Sequence, residues 1–309
     1  MNPFTRQATR SVASLGETRL IEALRRWLAC ASPPSPRGIG DDCAVLSPSR
    51  RTQLLTVDSV VYGRHFDDRA RPRDAGAKLL KRNLSDLAAM GAKPVAAVVA
   101  LTLSPSVKLD WLEGFYRGMA SSARRHGVSI VGGDVAQSDG FAAILTLLGE
   151  AAGPRILTRK GARPGDWIYV TGQLGASLQS GHHFGFEPRL AEGAWFARRR
   201  EVRSMMDVSD GLAKDLPALE PPGAEAVLFP SAIPRRRGAG LHAALCDGED
   251  YELLVSIGAG ADRDGIARSW RRSFPKTRLT CIGRFVLRGQ PQPGTIRLSE
   301  YRGYEHLRR

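Results

Sequence analysis

The chain has 309 residues, of which 42% are hydrophobic and 25% charged, and its formal net charge is +14. This composition is typical of a globular protein and excludes fibrous and disordered classes. The longest apolar stretch, Val95 to Leu103, has 9 residues, whereas a membrane-spanning helix needs about 20. We therefore expect a two-domain protein that has no membrane partner.

The elements expected from the periodicity of apolar residues alternate between helices and strands along the chain. A helix is predicted from Glu17 to Leu28, before which two arginines and no acid suggest either a ragged extension, which we favour, or a transit peptide. The remaining predictions, in chain order, are a strand at Gln53–Val57, a helix at Asp74–Met90 closed by Gly91, a strand at Val95–Leu103, a helix at 108–126 closed by Gly127, and strands at Val128–Val131 and Phe141–Leu148.

The segment 151–166 is rich in glycine and proline, a composition typical of a linker. A second set of strands and helices begins at Trp167. The sequence thus predicts two domains, 1–150 and 151–309, in a mixed α+β or α/β fold. The N-terminal domain would have a mixed sheet with helices, and the C-terminal domain would be α/β.

The four cysteines are scattered without a C-x-x-C pair, which indicates neither a zinc site nor a disulfide framework. A reducing cytoplasm is the expected compartment. The positive charge has two interpretations, a nucleic-acid-binding surface or solvated arginine-rich faces. The runs 198–200 and 235–237 are short and lack interleaved aromatic residues. We therefore favour solvated faces, whose field would also attract a phosphorylated substrate.

Carboxylates recur in segments punctuated by glycine, although the chain has no Gly-Lys dipeptide and hence no P-loop. Each aspartate alone could be a helix cap or a turn residue. Together they provide the hard oxygen ligands that Mg²⁺ prefers beside phosphates. The segments, interpreted as turns or element ends, are Gly38–Asp42, Thr56–Asp58, Asn83–Asp86, Gly132–Asp134, Asp207–Gly211 and Gly248–Asp250.

Seven segments, in order, resemble the thiamine-monophosphate kinase family of the aminoimidazole ribonucleotide synthetase-like superfamily. NLSDLAAMGA and DVSDGLAKDL are the most specific stretches. The matching segments are GIGDDCAVL at 38–46, TVDSVVYGRHF at 56–66, KRNLSDLAAMGAKP at 81–94, VGGD at 131–134, RKGARPGDWIYVTG at 159–172, MDVSDGLAKDL at 206–216 and GEDYELL at 248–254. They cover nearly the whole chain from Gly16.

The resemblance implies an enzyme that uses ATP and several Mg²⁺ ions to convert thiamine monophosphate to thiamine diphosphate. It implies a homodimer in which N-terminal strands of two copies form a barrel. Domain 1–150 would bind ATP and Mg²⁺, and domain 151–309 would complete the nucleotide and substrate site. No nucleic-acid partner is implied. A homodimer is also expected from exposed strands such as Val95–Leu103, which need a covering partner.

The resemblance also implies roles for individual residues, position by position. Asp58, Asp86 and Asp210 would act in catalysis. The metal-binding positions are Asp41, Thr56, Asp58, Asp86, Asp134, Asp207 and Asp210. The nucleotide contacts are Tyr116, Gly133, Asp134, Arg159 and Ser209, and the substrate contacts are His65, Glu249 and Tyr304. One departure is Val57, which stands where the family usually has a hydroxyl residue.

Two alternatives stay open at this point. One is another ATP-using enzyme of the same superfamily. Selenophosphate synthetase has a reactive cysteine or selenocysteine in a glycine-rich N-terminal segment, whereas no cysteine precedes Cys30 in this sequence. The hydrogenase-maturation dehydratase has a C-terminal cysteine, whereas this sequence ends in Arg309. The other is a non-catalytic, basic nucleic-acid-binding protein, which the carboxylates disfavour because they repel a phosphate backbone.

Overall fold

The computed structural model describes residues 1–40, 43–290 and 293–304. The chain divides into two compact units. The first consists of Met1–Leu87 and Lys93–Glu150, and the second of Ala88–Ala92 and Ala151–Arg309.

The first unit has a four-stranded mixed sheet with the strand order β1-β4-β2-β3. Strands β1 and β4 are antiparallel, and β2 and β3 are parallel. The expected mixed sheet and its helices are confirmed. The elements are α1 (Gly16–Leu28), β1 (Gln53–Val61), α2 (Pro72–Ala89), β2 (Ala92–Leu103), α3 (Leu109–His126), β3 (Ser129–Gln137) and β4 (Phe141–Ala151).

Strand β3 is longer than the sequence indicated, and it contains Gly133 and Asp134. The interpretation of this segment as a turn is therefore wrong. Strands β2 and β3 lie so close here that a Cβ atom on Gly133 would be 2.1 Å from the carbonyl oxygen of Val99. Only glycine, which has no Cβ atom, avoids this contact. Asp58 likewise lies inside β1 rather than at its end, whereas Asp86 lies in the last turn of α2, as expected from the predicted helix.

One face of this sheet is apolar and open. Leu55 is 71% exposed, Val57 59% and Val98 39%, whereas Val60 and Leu145, on the opposite face, are fully buried. Strand β2 is an interior strand of the sheet. The strand expected to be exposed, Val95–Leu103, has neighbours on both edges, and its exposure is through this open face of the sheet.

The first 15 residues do not form a ragged extension. Phe4 forms an antiparallel bridge with Val107, and the indole nitrogen of Trp111 donates a hydrogen bond to the carbonyl oxygen of Met1 at 2.9 Å. The ring of Phe4 meets that of Tyr62 edge-on at 5.3 Å. The segment is therefore part of the packed first unit.

The second unit has a six-stranded sheet of order β10-β7-β9-β5-β8-β6, whose described pairs are antiparallel. Its strands are β5 (Trp167–Thr171), β6 (Val202–Val208), β7 (Ala224–Leu228), β8 (Glu252–Ile257), β9 (Leu279–Leu287) and β10 (Ile296–Arg297). Its helices are α4 (His182–Gly185), α5 (Leu190–Ala197), α6 (Leu212–Asp215), α7 (Leu241–Cys246) and α8 (Arg263–Ser273).

Both faces of the second sheet are covered. Ile168 and Val170 belong to one apolar cluster, which includes Leu212 of α6. Tyr169, between them in sequence, belongs to a second cluster with Trp270 of α8. Successive strand residues point to opposite faces, so a strand that is apolar throughout is buried on both sides. In the described ranges, no helix has the length and apolar character needed to cross a membrane.

Candidate active site

In the first unit, strand β1 and helix α2 bring two acidic positions together with two partners. Thr56 Oγ1 donates a hydrogen bond to Asp86 Oδ2 at 2.5 Å. Arg82 Nη2 lies 3.0 Å from Asp58 Oδ1, and its Nη1 donates to the carbonyl oxygen of Ser59 at 2.6 Å. Residues two apart on a strand and four apart on a helix share a face, which explains the two parallel contacts. Sequence reasoning missed Arg82.

Val57 lies on the opposite, exposed face of β1 and is 59% exposed. The residue before Asp58 therefore does not direct its side chain toward the face that carries Thr56 and Asp58. The departure from the family pattern at this position leaves the Thr56–Asp86 and Asp58–Arg82 contacts intact.

The donor atoms of this cluster are a hydroxyl and carboxylates, which are hard oxygen ligands. No group of three or more His, Cys, Asp or Glu side chains within residues 1–40, 43–290 and 293–304 is arranged to hold a metal ion. Mg²⁺ commonly takes one or two carboxylates and completes its shell with water and substrate phosphates, so the donor set fits a nucleotide-linked Mg²⁺. Asp41 lies outside the described residues.

A cavity of about 540 Å³ in the first unit brings together three of the expected nucleotide contacts, Tyr116, Gly133 and Asp134. Tyr116 is only 3% exposed, and burial raises the pKa of its hydroxyl. The apolar lining includes Ile21, Leu24, Leu28, Val99 and Ile130. Largely apolar walls with a few polar groups are typical of small-molecule sites of this size.

His65 follows β1 and is fixed through its ring. Its Nδ1 accepts a hydrogen bond from the backbone N–H of Val61 at 3.0 Å. The neutral imidazole therefore carries its proton on Nε2. The buried ammonium of Lys78 donates to the carbonyl oxygen of His65 at 3.1 Å, which holds the backbone at this position as well.

In the second unit, the segment after β6 is organised by a carboxylate that sequence reasoning missed. Asp215 Oδ2 accepts the backbone N–H groups of Ser209 and Asp210, both at 2.9 Å. The pKa of Asp215 is raised to about 7, mainly by burial and also by the charges of Asp207 and Asp210, whereas these hydrogen bonds act in the opposite direction. The available sequence signal was a third aspartate near the end of the DVSDGLAKDL segment.

Two of the expected metal positions lie in this segment. Asp207, near the C-terminal end of β6, is 5% exposed. Asp210 Oδ2 lies 2.6 Å from Lys214 Nζ, one helical turn further on. The lysine provides a local counter-charge for this carboxylate.

The segment Gly248–Tyr251 packs against the same region. The backbone N–H of Glu249 donates to the carbonyl oxygen of Ser209 at 2.7 Å, and that of Tyr251 donates to Val208 at 2.8 Å. Glu249 and Tyr251 have φ angles of 56° and 52°. Left-handed conformations are uncommon for residues other than glycine, and they are frequent at functional sites.

The C-terminal segment reaches this region too. The backbone N–H of Tyr304 donates to the carbonyl oxygen of Asp210 at 2.8 Å. A Cβ atom on Gly303 would lie 2.5 Å from the same oxygen, so the close approach requires glycine. The second unit therefore brings Asp207, Ser209, Asp210, Glu249 and Tyr304 together. Arg159 is exposed beside β6, where the carbonyl oxygen of Thr158 accepts the N–H of Met205 at 2.9 Å.

Comparisons with known proteins identify the family. The model of the AIR synthase related protein N-terminal domain matches residues 40–151. The thiamine-monophosphate kinase of Escherichia coli strain K12 is 34% identical over 309 aligned positions, which cover 87% of this chain and 91% of that protein. The chain belongs to the thiamine-monophosphate kinase family.

Solved structures of the family agree with this assignment. The crystal structure of the thiamine-monophosphate kinase from Stenotrophomonas maltophilia K279a has a TM-score of 0.72 and 30% identity, and it covers 88% of this chain and 94% of that chain. The structure of AaThiL complexed with AMPPCP and TMP has a TM-score of 0.70 and 25% identity, with coverage of 98% and 99%. The resemblance, the mixed fold and the assignment as a phosphotransferase are confirmed, and the nucleic-acid-binding alternative is set aside.

Proposed function

We propose that the protein transfers the γ-phosphoryl group of ATP directly to thiamine monophosphate, which yields thiamine diphosphate and ADP. The observation that carries this proposal, beside family membership, is the convergence in the second unit. Residues from β6, from the loop before β8 and from the C-terminal segment meet around the backbone of Ser209 and Asp210. Because these residues are distant in sequence, the fold and not the local sequence brings them to one place.

The chemistry of the donors supports magnesium as the metal. Asp58, Asp86 and Asp134 in the first unit would hold Mg²⁺ with Thr56, and Asp207 and Asp210 would do so in the second. Bound Mg²⁺ neutralises the charge on the transferring oxygens and orients the phosphates.

The chain's own residues provide positioning. Thr56 orients the carboxylate of Asp86 through a hydrogen bond of 2.5 Å, and Asp215 fixes the backbone at Ser209 and Asp210. The cavity beside Tyr116 has the size and apolar lining for a nucleobase. In-line phosphoryl transfer depends mainly on such positioning and on charge stabilisation.

The acceptor contacts in this proposal are His65, Glu249 and Tyr304. The acceptor phosphate is an anion at neutral pH, and the transfer therefore requires no strong general base from the protein. Arg159 and Ser209 would contact the nucleotide. Asp41, outside the described residues, stays a proposed metal ligand.

A homodimer completes the proposal. The open apolar face with Leu55, Val57 and Val98 is a surface that water disfavours. A second copy presenting the same face would cover it with twofold symmetry. The four cysteines are free thiols, the state that a reducing cytoplasm maintains, and we propose the cytoplasm as the compartment.

One assay tests the activity. The purified protein is incubated with ATP, Mg²⁺ and thiamine monophosphate, and the products are separated by chromatography. We expect thiamine diphosphate and ADP in equal amounts, and little product when thiamine replaces its monophosphate, because only the monophosphate offers an acceptor phosphate. Equal turnover of the two acceptors, or the absence of thiamine diphosphate, would contradict the proposal.

A further inference from the structure

The residue after Glu249 is a deeply buried carboxylate. Asp250 is 1% exposed. Its Oδ1 accepts hydrogen bonds from Ser177 Oγ at 2.5 Å and from Arg236 Nη1 at 2.9 Å, and both carboxylate oxygens accept the backbone N–H of Gly175, at 3.0 and 3.1 Å. A buried charge is stable only with partners of this kind.

Arg236 joins two segments that are distant in sequence. Besides Asp250, its Nη1 donates to the carbonyl oxygen of Gly175 at 2.5 Å, and its Nη2 donates to that of Gln173 at 2.9 Å. Its side chain is 13% exposed. Arg236 belongs to the 235–237 run that the sequence suggested is a solvated face, and for this arginine that interpretation is wrong.

The loop that contains Asp250 has an uncommon backbone conformation. Glu249 and Tyr251, on either side of Asp250, are left-handed, with φ angles of 56° and 52°. Such conformations persist only where surrounding contacts fix them. On one side the loop bonds to the carbonyl oxygens of Val208 and Ser209. On the other side it is held through Asp250 by Arg236 and the 173–177 turn.

We propose that Arg236 is a positioning residue for the phosphate acceptor. By fixing Asp250 it fixes the left-handed loop, and thereby Glu249, a partly exposed residue whose backbone N–H bonds to the carbonyl oxygen of Ser209. The acceptor carries a positively charged thiazolium ring, which a carboxylate in a fixed position attracts. This inference rests on the proposed function and on the role of Glu249 in it.

The test is steady-state kinetics on Arg236→Met, which keeps the aliphatic stem and removes the charge and the donors. We expect the KM for thiamine monophosphate to rise about tenfold, the lower end of the effect of losing a supporting contact. The KM for ATP should stay within about twofold, because the inferred role of Arg236 concerns the acceptor contact and not the nucleotide. Calorimetric titration with thiamine monophosphate should show the same loss without turnover.

Two further variants separate positioning from folding. Arg236→Lys restores one cation for Asp250 but not the fork that also reaches Gln173, so it should recover part of the affinity for the acceptor. Arg203→Met is the matched control. It removes the partner of another buried carboxylate, Asp166, at 3.2 Å, near the opposite end of β8, where the N–H of Ala259 donates to the same carboxylate. It should lower the melting temperature and leave both KM values unchanged.

The outcomes are distinct. If the wild-type protein makes no thiamine diphosphate, the proposed function fails and this inference fails with it. If the wild type is active and Arg236→Met lowers only the melting temperature, or shifts both KM values equally, the inference alone is overturned. Should Arg236→Met fail to fold, Arg236→Lys decides, and an unchanged acceptor KM in that variant rejects the positioning role.

Discussion

Arg82 Nη2 lies 3.0 Å from Asp58 Oδ1, with only 13% of the arginine side chain exposed. A carboxylate that the family resemblance assigns to metal binding thus already has a fixed cation on one oxygen. Like charges repel strongly when they are shielded from water. The guanidinium therefore opposes a second cation on Asp58 and would limit how tightly the proposed metal position binds Mg²⁺.

Replacing Arg82 by methionine should strengthen metal binding. Removal of a positive charge so close to a ligand should lower the Mg²⁺ concentration at half-saturation by roughly threefold or more. Calorimetric titration with Mg²⁺ alone measures this. Arg117→Met, which breaks an exposed pair with Glu113 on α3, should have no effect. Weaker binding in Arg82→Met would mean that the arginine instead orients Asp58 for the metal.

Asp86→Asn should lower turnover roughly a thousandfold, since about 4 kcal/mol of charge stabilisation would be lost at about 1.4 kcal/mol per tenfold. The amide oxygen can still accept the hydrogen bond from Thr56, so the melting temperature should hold. Asp110→Asn, at an exposed position on α3, is the control and should retain full activity. Normal folding with near-normal turnover in Asp86→Asn would refute the metal role.

Val57→Asp should dissociate the proposed homodimer. The side chain is 59% exposed in a single chain, so the monomer should fold, whereas an interface would bury the new charge without a partner. Analytical ultracentrifugation should show dimers for the wild type and monomers for the variant. Leu178→Asp, 55% exposed in the second unit, should stay dimeric. A monomeric, active wild-type protein would contradict the prediction.

The contribution of His182 to stability should fall in mild acid. Its Nε2 bonds to the carbonyl oxygen of Asp250 at 3.1 Å. Burial, followed by the charges of Arg236 and Arg189, lowers the pKa of His182 below the ordinary 6.5. The hydrogen bond to the backbone of Asp250 and the charge of Glu252 act in the opposite direction without cancelling this effect. The unfolded chain therefore takes up the proton first, so stability contributed above pH 6.5 is lost as the pH falls through 6.5 toward the folded-state pKa.

Urea unfolding at pH 7.5, 6.0 and 5.0 measures this effect. His182→Gln does not titrate in this range, so its free energy of unfolding should decline less between pH 7.5 and 5.0 than that of the wild type. His242→Gln, at an exposed position, should decline as the wild type does. Parallel profiles for the wild type and His182→Gln would show that the histidine does not contribute.

The helices of the first unit were predictable because their signals are local. Helix α3 follows the apolar periodicity closely and ends at Gly127, which adopts the left-handed conformation with a φ of 68°. Strand ends were not predictable in the same way. Strand β1 continues through Asp58 because that residue pairs with Leu145 of β4, and β3 continues through Gly133 because it pairs with Val99 of β2. Pairing of this kind depends on residues far along the chain.

The residues of the candidate site also divide into those that the sequence predicts and those that only the fold shows. The acidic residues Asp86, Asp207 and Asp210 stand in segments that the sequence marks. Their partners do not, since a pairing such as Arg82 with Asp58 exists only after β1 and α2 have packed. The sequence does not distinguish Asp215 from an ordinary helical acid, whereas in the structure its carboxylate accepts hydrogen bonds from two backbone N–H groups. The motifs thus mark the proposed ligand groups, and the fold shows which groups hold them.

The order of strands in the second sheet has a consequence for synthesis on the ribosome. Strand β5 lies between β8 and β9, and both are translated long after it. Until Leu287 at the end of β9 has emerged, Ile168 and Val170 lack one of their partner strands, and the nascent chain exposes an apolar segment of the kind that aggregates or binds chaperones. Ribosome-bound chains that stop before β8 should therefore remain protease-sensitive around β5, and protection should appear only once β8 and β9 are available.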